Sequence, residues 1–236
     1  MAKKDDLRIQ RAGTIINATS KQQETSVVRA LEEVVDMLRE SFPKIALHHE
    51  KEWLVADVIR RLRVEFPDVP FAEAFARSAM RPDGGILSIK ARDDGLHPIL
   101  IIEVKNQGTN DLRLAEGLKR QAKGNAIERL GKNVIGFRSA LLSEAIVPFV
   151  CFGYGCDFAD DSSILDRVVT IAMFGPLNQI SVMNEGENKQ FNRGSFFFRE
   201  EEWSIAEMVE IMFEVATRSI HYYYAKHGAE VLETIG

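Results

Sequence analysis

A chain of 236 residues that is 45% hydrophobic can bury one substantial core, and residues 1–236 are expected to form a single domain. No apolar run approaches the ~20 residues of a membrane span. The start, Met1-Ala2-Lys3-Lys4-Asp5-Asp6, lacks the apolar segment of a secretory signal. The net charge of −5 speaks against blanket affinity for nucleic acid. The expectation is a cytoplasmic protein with no membrane partner.

Residues 1–15 read as a flexible arm. Ser20-Lys21-Gln22-Gln23 has capping-box spacing and predicts a helix to about Phe42, with Val27, Val28, Leu31, Val34, Val35 and Leu38 as its apolar stripe. Pro43 ends it. A second helix is predicted from Glu50 to Glu65, burying Trp53, Leu54, Val58, Ile59 and Leu62 and exposing Arg60, Arg61 and Arg63. The His48-His49 pair reads as a loop or helix-entry feature, not a metal site. Pro67 and Pro70 then break the chain into a loop.

The next stretch carries the chemistry. Ile86–Ile89 and Pro98–Ile102 are strand formers separated by Arg92-Asp93-Asp94-Gly95, a hairpin turn. Side chains alternate along a strand, so Glu103 and Lys105 leave on one face while Val104 points into the core. Closing the hairpin brings Asp83 beside Glu103, so two carboxylates and an ammonium meet at one sheet edge. A hard divalent cation takes such oxygen donors, keeps several waters and completes its shell with phosphate oxygens. Lys105 could position or deprotonate a water, or stabilise a charged transition state. The spacing alone is equally compatible with three charges that cap and solvate strand ends.

Beyond Lys105, Gly108-Thr109-Asn110-Asp111 is a turn and a polar stretch runs to Lys123. Ala126 to about Leu142 is predicted helical, although Gly131 and Gly136 weaken the pattern. From Lys105 to Arg138 eight basic residues face three acidic ones, so this segment is +5 and the rest of the chain −10. A basic strip on an acidic body suits docking of DNA through one cleft; a solvated helix face is the alternative. Asn125, Glu128 and Arg129 fall on one helical face and supply donors and acceptors suited to base edges. They suit an ordinary helix start equally well, with Asn125 as N-cap.

Ile146–Phe152 is nearly continuous in apolar residues, as in a central strand covered on both faces. It contains Cys151, and Cys156 follows; two cysteines make neither a disulfide framework nor a four-ligand zinc site. Gly153-Tyr154-Gly155 reads as a turn, Ile164–Met173 as a short helix and Ile180–Met183 as a strand. Phe196-Phe197-Phe198 is a buried strand or an oligomer contact. Ser204-Ile205-Ala206-Glu207 is a second capping box, opening a helix to about Lys226 with Gly228 as C-cap. Alternating helices and apolar strands imply an α/β domain with a mixed sheet.

Three segments in order, Arg81-Pro82-Asp83-Gly84-Gly85-Ile86, Glu103-Val104-Lys105-Asn106-Gln107-Gly108 and Gly124-Asn125-Ala126-Ile127-Glu128-Arg129, resemble the EcoRI-type restriction endonucleases of the PD-(D/E)xK nuclease superfamily. The resemblance is dense from Arg81 to Phe152 and weaker at Ser163–Arg167 and Glu210–Glu214. It implies a restriction-endonuclease-like core, a five-stranded mixed sheet flanked by helices. It also implies Mg²⁺ held by Asp83 and Glu103, with Lys105 as the third catalytic residue. Gly124, Asn125, Ala126, Glu128 and Arg129 would read an AATT core, joined by Gln107 and more weakly by Arg167. The stretch from Gly108 to Lys123 is shorter than the DNA-wrapping arm known in the family. A member that reads CAATTG places a basic residue directly before the Gly-Asn pair, as Lys123 stands here. The implied partners are double-stranded DNA, a second copy of the chain and a separate DNA methyltransferase. Two other readings remain: a repair or junction-resolving nuclease that shares the hairpin, and a non-catalytic DNA-binding regulator.

Overall fold

Five strands in the spatial order β1-β4-β5-β6-β7 form the frame of the molecule. The computed structural model describes residues 15–106, 117, 125–155, 158 and 163–234; of residues 15–24, 106, 125, 126 and 163 only the backbone is described. The elements of this frame are helix α1 (Ile15–Ser41), strand β1 (Ala46–Glu50), β2 (Trp53–Leu54), α2 (Val55–Glu65) and β3 (Ala79–Met80). There follow β4 (Gly85–Lys90), β5 (Leu96–Asn106), α3 (Asn125–Ala140), β6 (Phe149–Tyr154) and α4 (Ser163–Ile171). The series ends with β7 (Ser195–Arg199), α5 (Ile205–His227) and the short α6 (Ala229–Leu232). β1, β4 and β5 pair antiparallel, while β5, β6 and β7 run parallel. The sheet is therefore mixed and five-stranded, as expected.

Alternation along the strands sends side chains into two cores. Leu87, Ile89, Leu100, Ile102, Val150, Phe152 and Phe197 pack with α1 and α5 on one face. Ile86, Ile101, Phe149, Cys151, Phe196 and Phe198 pack with α2, α3 and α4 on the other. The three consecutive phenylalanines thus serve both faces of a buried strand. The hairpin turn closes as predicted, with Ala91 N–H donating to Gly95 O at 2.9 Å, Gly95 N–H to the Asp93 side chain at 3.0 Å, and Asp94 at φ 64°. A bulge between Leu87/Ser88 and their partners accommodates Pro98, which has no N–H for the ladder.

Several boundaries differ from expectation. α1 begins at Ile15, so Ser20 lies inside it and is no cap; Val28 is left 46% exposed while Val27, Ala30, Leu31, Val34 and Leu38 are buried. The second helix starts at Val55 because Trp53 and Leu54 pair with Met80 and Ala79 in a two-stranded ribbon. His48 and His49 belong to β1, not to a loop or helix entry. Gly153 and Tyr154 continue β6, and the chain turns after them. Ile180–Met183 contributes only a single bridge, Met183 to Ile146. Gly136 does not break α3: a Cβ there would lie 2.3 Å from Met80 Sδ, so the glycine admits the β2–β3 ribbon against the helix. The Ser204 cap forms in full, with the Ser204 side chain accepting from Glu207 N–H and Glu207 from Ser204 N–H; α5 ends at Gly228 with φ 82°. The predicted arm and the turn at Gly108–Asp111 lie outside the described residues.

Candidate active site

Asp83 opens the Asp83-Gly84 turn that enters β4, and Glu103 and Lys105 lie near the end of β5, two residues apart on one face. The turn is held tightly. Gly84 N–H donates to Ile102 O at 2.9 Å and Gly85 N–H to Pro82 O at 3.0 Å. His49 Nε2 lies 3.0 Å from Gly84 O. A Cβ on Gly84 would meet Ile102 Cβ at 2.7 Å and Val27 Cγ1 at 2.8 Å. Gly85 stands at φ 77°, a left-handed conformation that suits glycine. This packing fixes where the Asp83 carboxylate emerges.

Lys105 Nζ donates to Asp83 Oδ2 at 2.9 Å and to the Val104 carbonyl at 2.9 Å, and forms an ion pair with Glu103. Val104 N–H also donates to Asp83 Oδ2, at 3.1 Å. Glu103 is the deepest of the three: its residue is 2% exposed, whereas the Asp83 side chain keeps 31% of its surface. Burial pushes the Glu103 carboxyl up, and the Asp83 charge adds to this; Lys105 and the Asn133 amide oppose it. Burial alone would pull the Lys105 amine down, but the Glu103 and Asp83 carboxylates outweigh it and hold it above the ordinary lysine value. Cys151, opposite Glu103 in the β5–β6 register, is fully buried and free, and burial pushes its thiol far up. Gly153, opposite Lys105, leaves room for the Phe198 ring, whose Cδ1 would lie 2.2 Å from a Cβ at that position.

The donor set fits a hard divalent cation. One carboxylate oxygen from Asp83, one from Glu103 and the Val104 carbonyl all converge on the same ammonium nitrogen, so a small cation can reach the same oxygens. Among the described residues no cluster of three or more His, Cys, Asp or Glu side chains suits a metal. An ion here would have two carboxylates as its side-chain donors, with carbonyl, water and phosphate oxygens completing its shell.

The structure thus joins Asp83, Glu103 and Lys105 into one cluster. Of the DNA-facing candidates, Glu128 and Arg129 are exposed in the first turns of α3, whose stripe Ile127, Leu130, Val134 and Phe137 is buried against the sheet. Asn125 and Ala126 open that helix, and their side chains lie outside the described residues, as do Gln107, Lys123 and Gly124 altogether. Arg167 is exposed on α4, which shares a core with α3 through Ile164 and Val168. One neighbour was not foreseen: Asn133 of α3 donates to both oxygens of Glu103, at 3.3 and 3.2 Å. Its spacing, four residues after Arg129 and eight after Asn125, is the helical signal that marks it.

The chain is 27% identical to the type II restriction enzyme RsrI of Cereibacter sphaeroides over 240 residues, covering 88% of this chain and 87% of that one. It is 27% identical to the type II restriction enzyme EcoRI of Escherichia coli over 218 residues, covering 78% and 79%. A family profile described as restriction endonuclease EcoRI matches residues 10–164 and 159–228, an extent that takes in the hairpin, the helix behind it and the closing helix. The chain belongs to the EcoRI restriction endonuclease family.

Proposed function

We propose that this protein is a type II restriction endonuclease that makes Mg²⁺-dependent double-strand cuts at a short palindromic DNA site with an AATT core, CAATTG or GAATTC-like. The observation that carries the reading is the convergence of Asp83, Glu103 and Lys105 at the end of β5, in a chain of this family. Asp83 and Glu103 would hold the cation, which supplies charge neutralisation at the phosphoryl group and an activated water. Lys105, held by both acids, donates towards the attacking water or the phosphoryl oxygens. A water oxygen bonds to phosphorus as the P–O3′ bond breaks; that water gives up one proton to solvent, and the leaving 3′ oxygen takes one from solvent. The products are a 5′-phosphate and a 3′-hydroxyl.

Recognition falls to separate residues. Asn can pair bidentately with adenine, Glu can accept from an exocyclic amine, and Arg can donate to ring acceptors. Asn125, Glu128 and Arg129 carry those groups, Gly124 and Ala126 let backbone approach the bases, and Gln107 joins the core reading. Lys123 would donate to guanine O6 or N7 at the outer pair, which favours CAATTG. Arg167 contributes from α4. A palindrome is read most simply by a two-fold dimer, each copy cutting one strand. A separate methyltransferase would protect the cell's own sites. No helix among the described residues is long and apolar enough to cross a membrane.

The test is incubation with Mg²⁺ and a plasmid panel carrying CAATTG, GAATTC and sites without AATT, followed by mapping of the cut ends. Cutting confined to AATT-centred palindromes, abolished by a chelator, is expected. Exclusive cutting elsewhere would overturn the core assignment, and cutting by DNA structure would favour a repair or junction-resolving enzyme.

A further inference from the structure

We infer that Asn133 is a positioning residue for the proposed reaction, fixing the plane of the Glu103 carboxylate from the helix side; the inference rests on the nuclease reading above. A buried carboxylate has about four lone-pair sites to satisfy. Lys105 approaches Glu103 from its own strand. Asn133 Nδ2 reaches both carboxylate oxygens, at 3.3 and 3.2 Å, so one amide nitrogen straddles them. Rotation of the carboxylate about its last bond would lengthen one of these contacts. An amide is suited to the task because it donates without charge and cannot rival a cation for the same oxygens. Its orientation is settled chemically, since only the NH₂ end can face two acceptors.

The support behind Asn133 is rigid. It lies on α3 beside Val134 and between Leu130 and Phe137, side chains that are 2% exposed or less and lock the helix to the sheet. Groups that orient a metal-binding side chain in this way typically control 10–100-fold in metal affinity or activity. Among the described residues, the other partner of the Glu103 carboxylate is a flexible lysine that also serves Asp83 and the Val104 carbonyl and does not fix its plane.

The test uses the full chain with Asn133→Ala and Asn133→Leu, the second keeping the volume and removing the donor. Single-turnover cleavage of an AATT-centred duplex should fall on the order of 10–100-fold in both, with a raised Mg²⁺ half-saturation. Affinity for the same duplex without divalent metal, and the thermal midpoint of the Leu variant, should stay close to wild type. Wild-type cleavage with variants unchanged in rate and Mg²⁺ dependence would overturn the inference alone. So would a parallel loss of rate, affinity and thermal midpoint in the Leu variant, which is the signature of a merely structural role. A wild-type chain that cuts no DNA would overturn the nuclease reading, and this inference with it.

Discussion

Glu103 occupies the most demanding electrostatic position described in this chain. Its carboxylate is nearly sealed from water, and only the Lys105 ammonium and the Asn133 amide offset the desolvation that pushes its pKa up. Such an arrangement is retained where the charge itself is used. Glu103→Gln preserves the shape and removes the charge that would hold a cation. Cleavage should drop on the order of 10³-fold or more, the scale of removing a positioned electrostatic group. Binding to the same DNA in a gel-shift assay without metal should persist, because Glu128 and Arg129 lie elsewhere on exposed turns. Substantial turnover in this variant would remove Glu103 from its metal-holding role.

The elements that present these groups were legible to different degrees. The β4–β5 hairpin announced itself because its turn residues, its apolar alternation and its two acids all speak locally. The cap of α5 did likewise, and its energetics can be checked. Arg199 holds both Glu207 oxygens at 2.8 Å and Ser204 adds N–H and O–H donors, so the Glu207 carboxyl is pushed down to about 2. A carboxyl whose folded pKa lies below its unfolded value of 4.5 stabilises the fold above that pH and loses the contribution as pH falls towards about 2. The Glu207 side chain is 42% exposed, so solvent screening reduces the effect to about 1 kcal/mol at neutral pH. Glu207→Gln should lower the unfolding free energy from urea titration by that amount at neutral pH, with the gap closing on acidification below about 4.5; a gap that is constant with pH would disprove the charge-based account.

What stayed hidden was non-local. Trp53 and Leu54 extend the helical pattern of Val58 and Leu62 in sequence, yet their partners Met80 and Ala79 come from a distant segment and draw them into a ribbon. Gly136 looked like a helix breaker until Met80 occupied the space it leaves. Ile180–Met183 has strand formers but only one bridging neighbour. Asn133 looked like one more polar helix residue because the carboxylate it serves lies 30 positions earlier. The proposed base-reading set was suggested only through resemblance, since Asn125, Glu128 and Arg129 are spaced like any helix start.

Taken together, the chain places its proposed chemistry at one end of a sheet packed by helices on both faces, where the Asp83 side chain keeps part of its surface open. The proposed symmetric pair then has a specific consequence: each copy owns one strand of the target. Dimers that combine one wild-type chain with one Glu103→Gln chain should convert supercoiled plasmid to nicked circles and stall there, as followed by gel mobility. Efficient linearisation by such mixed dimers would mean that one cluster serves both strands.

Lys105 gives the cluster an occupant of its own. With Asp83 and Glu103 gathered on its nitrogen, the three groups carry a single net negative charge before any ion arrives, and each buried acid oxygen already has a proton to face. Like-charge repulsion between the two acids is therefore offset without any ion, and the proposed cation would meet a seat whose hairpin is already closed.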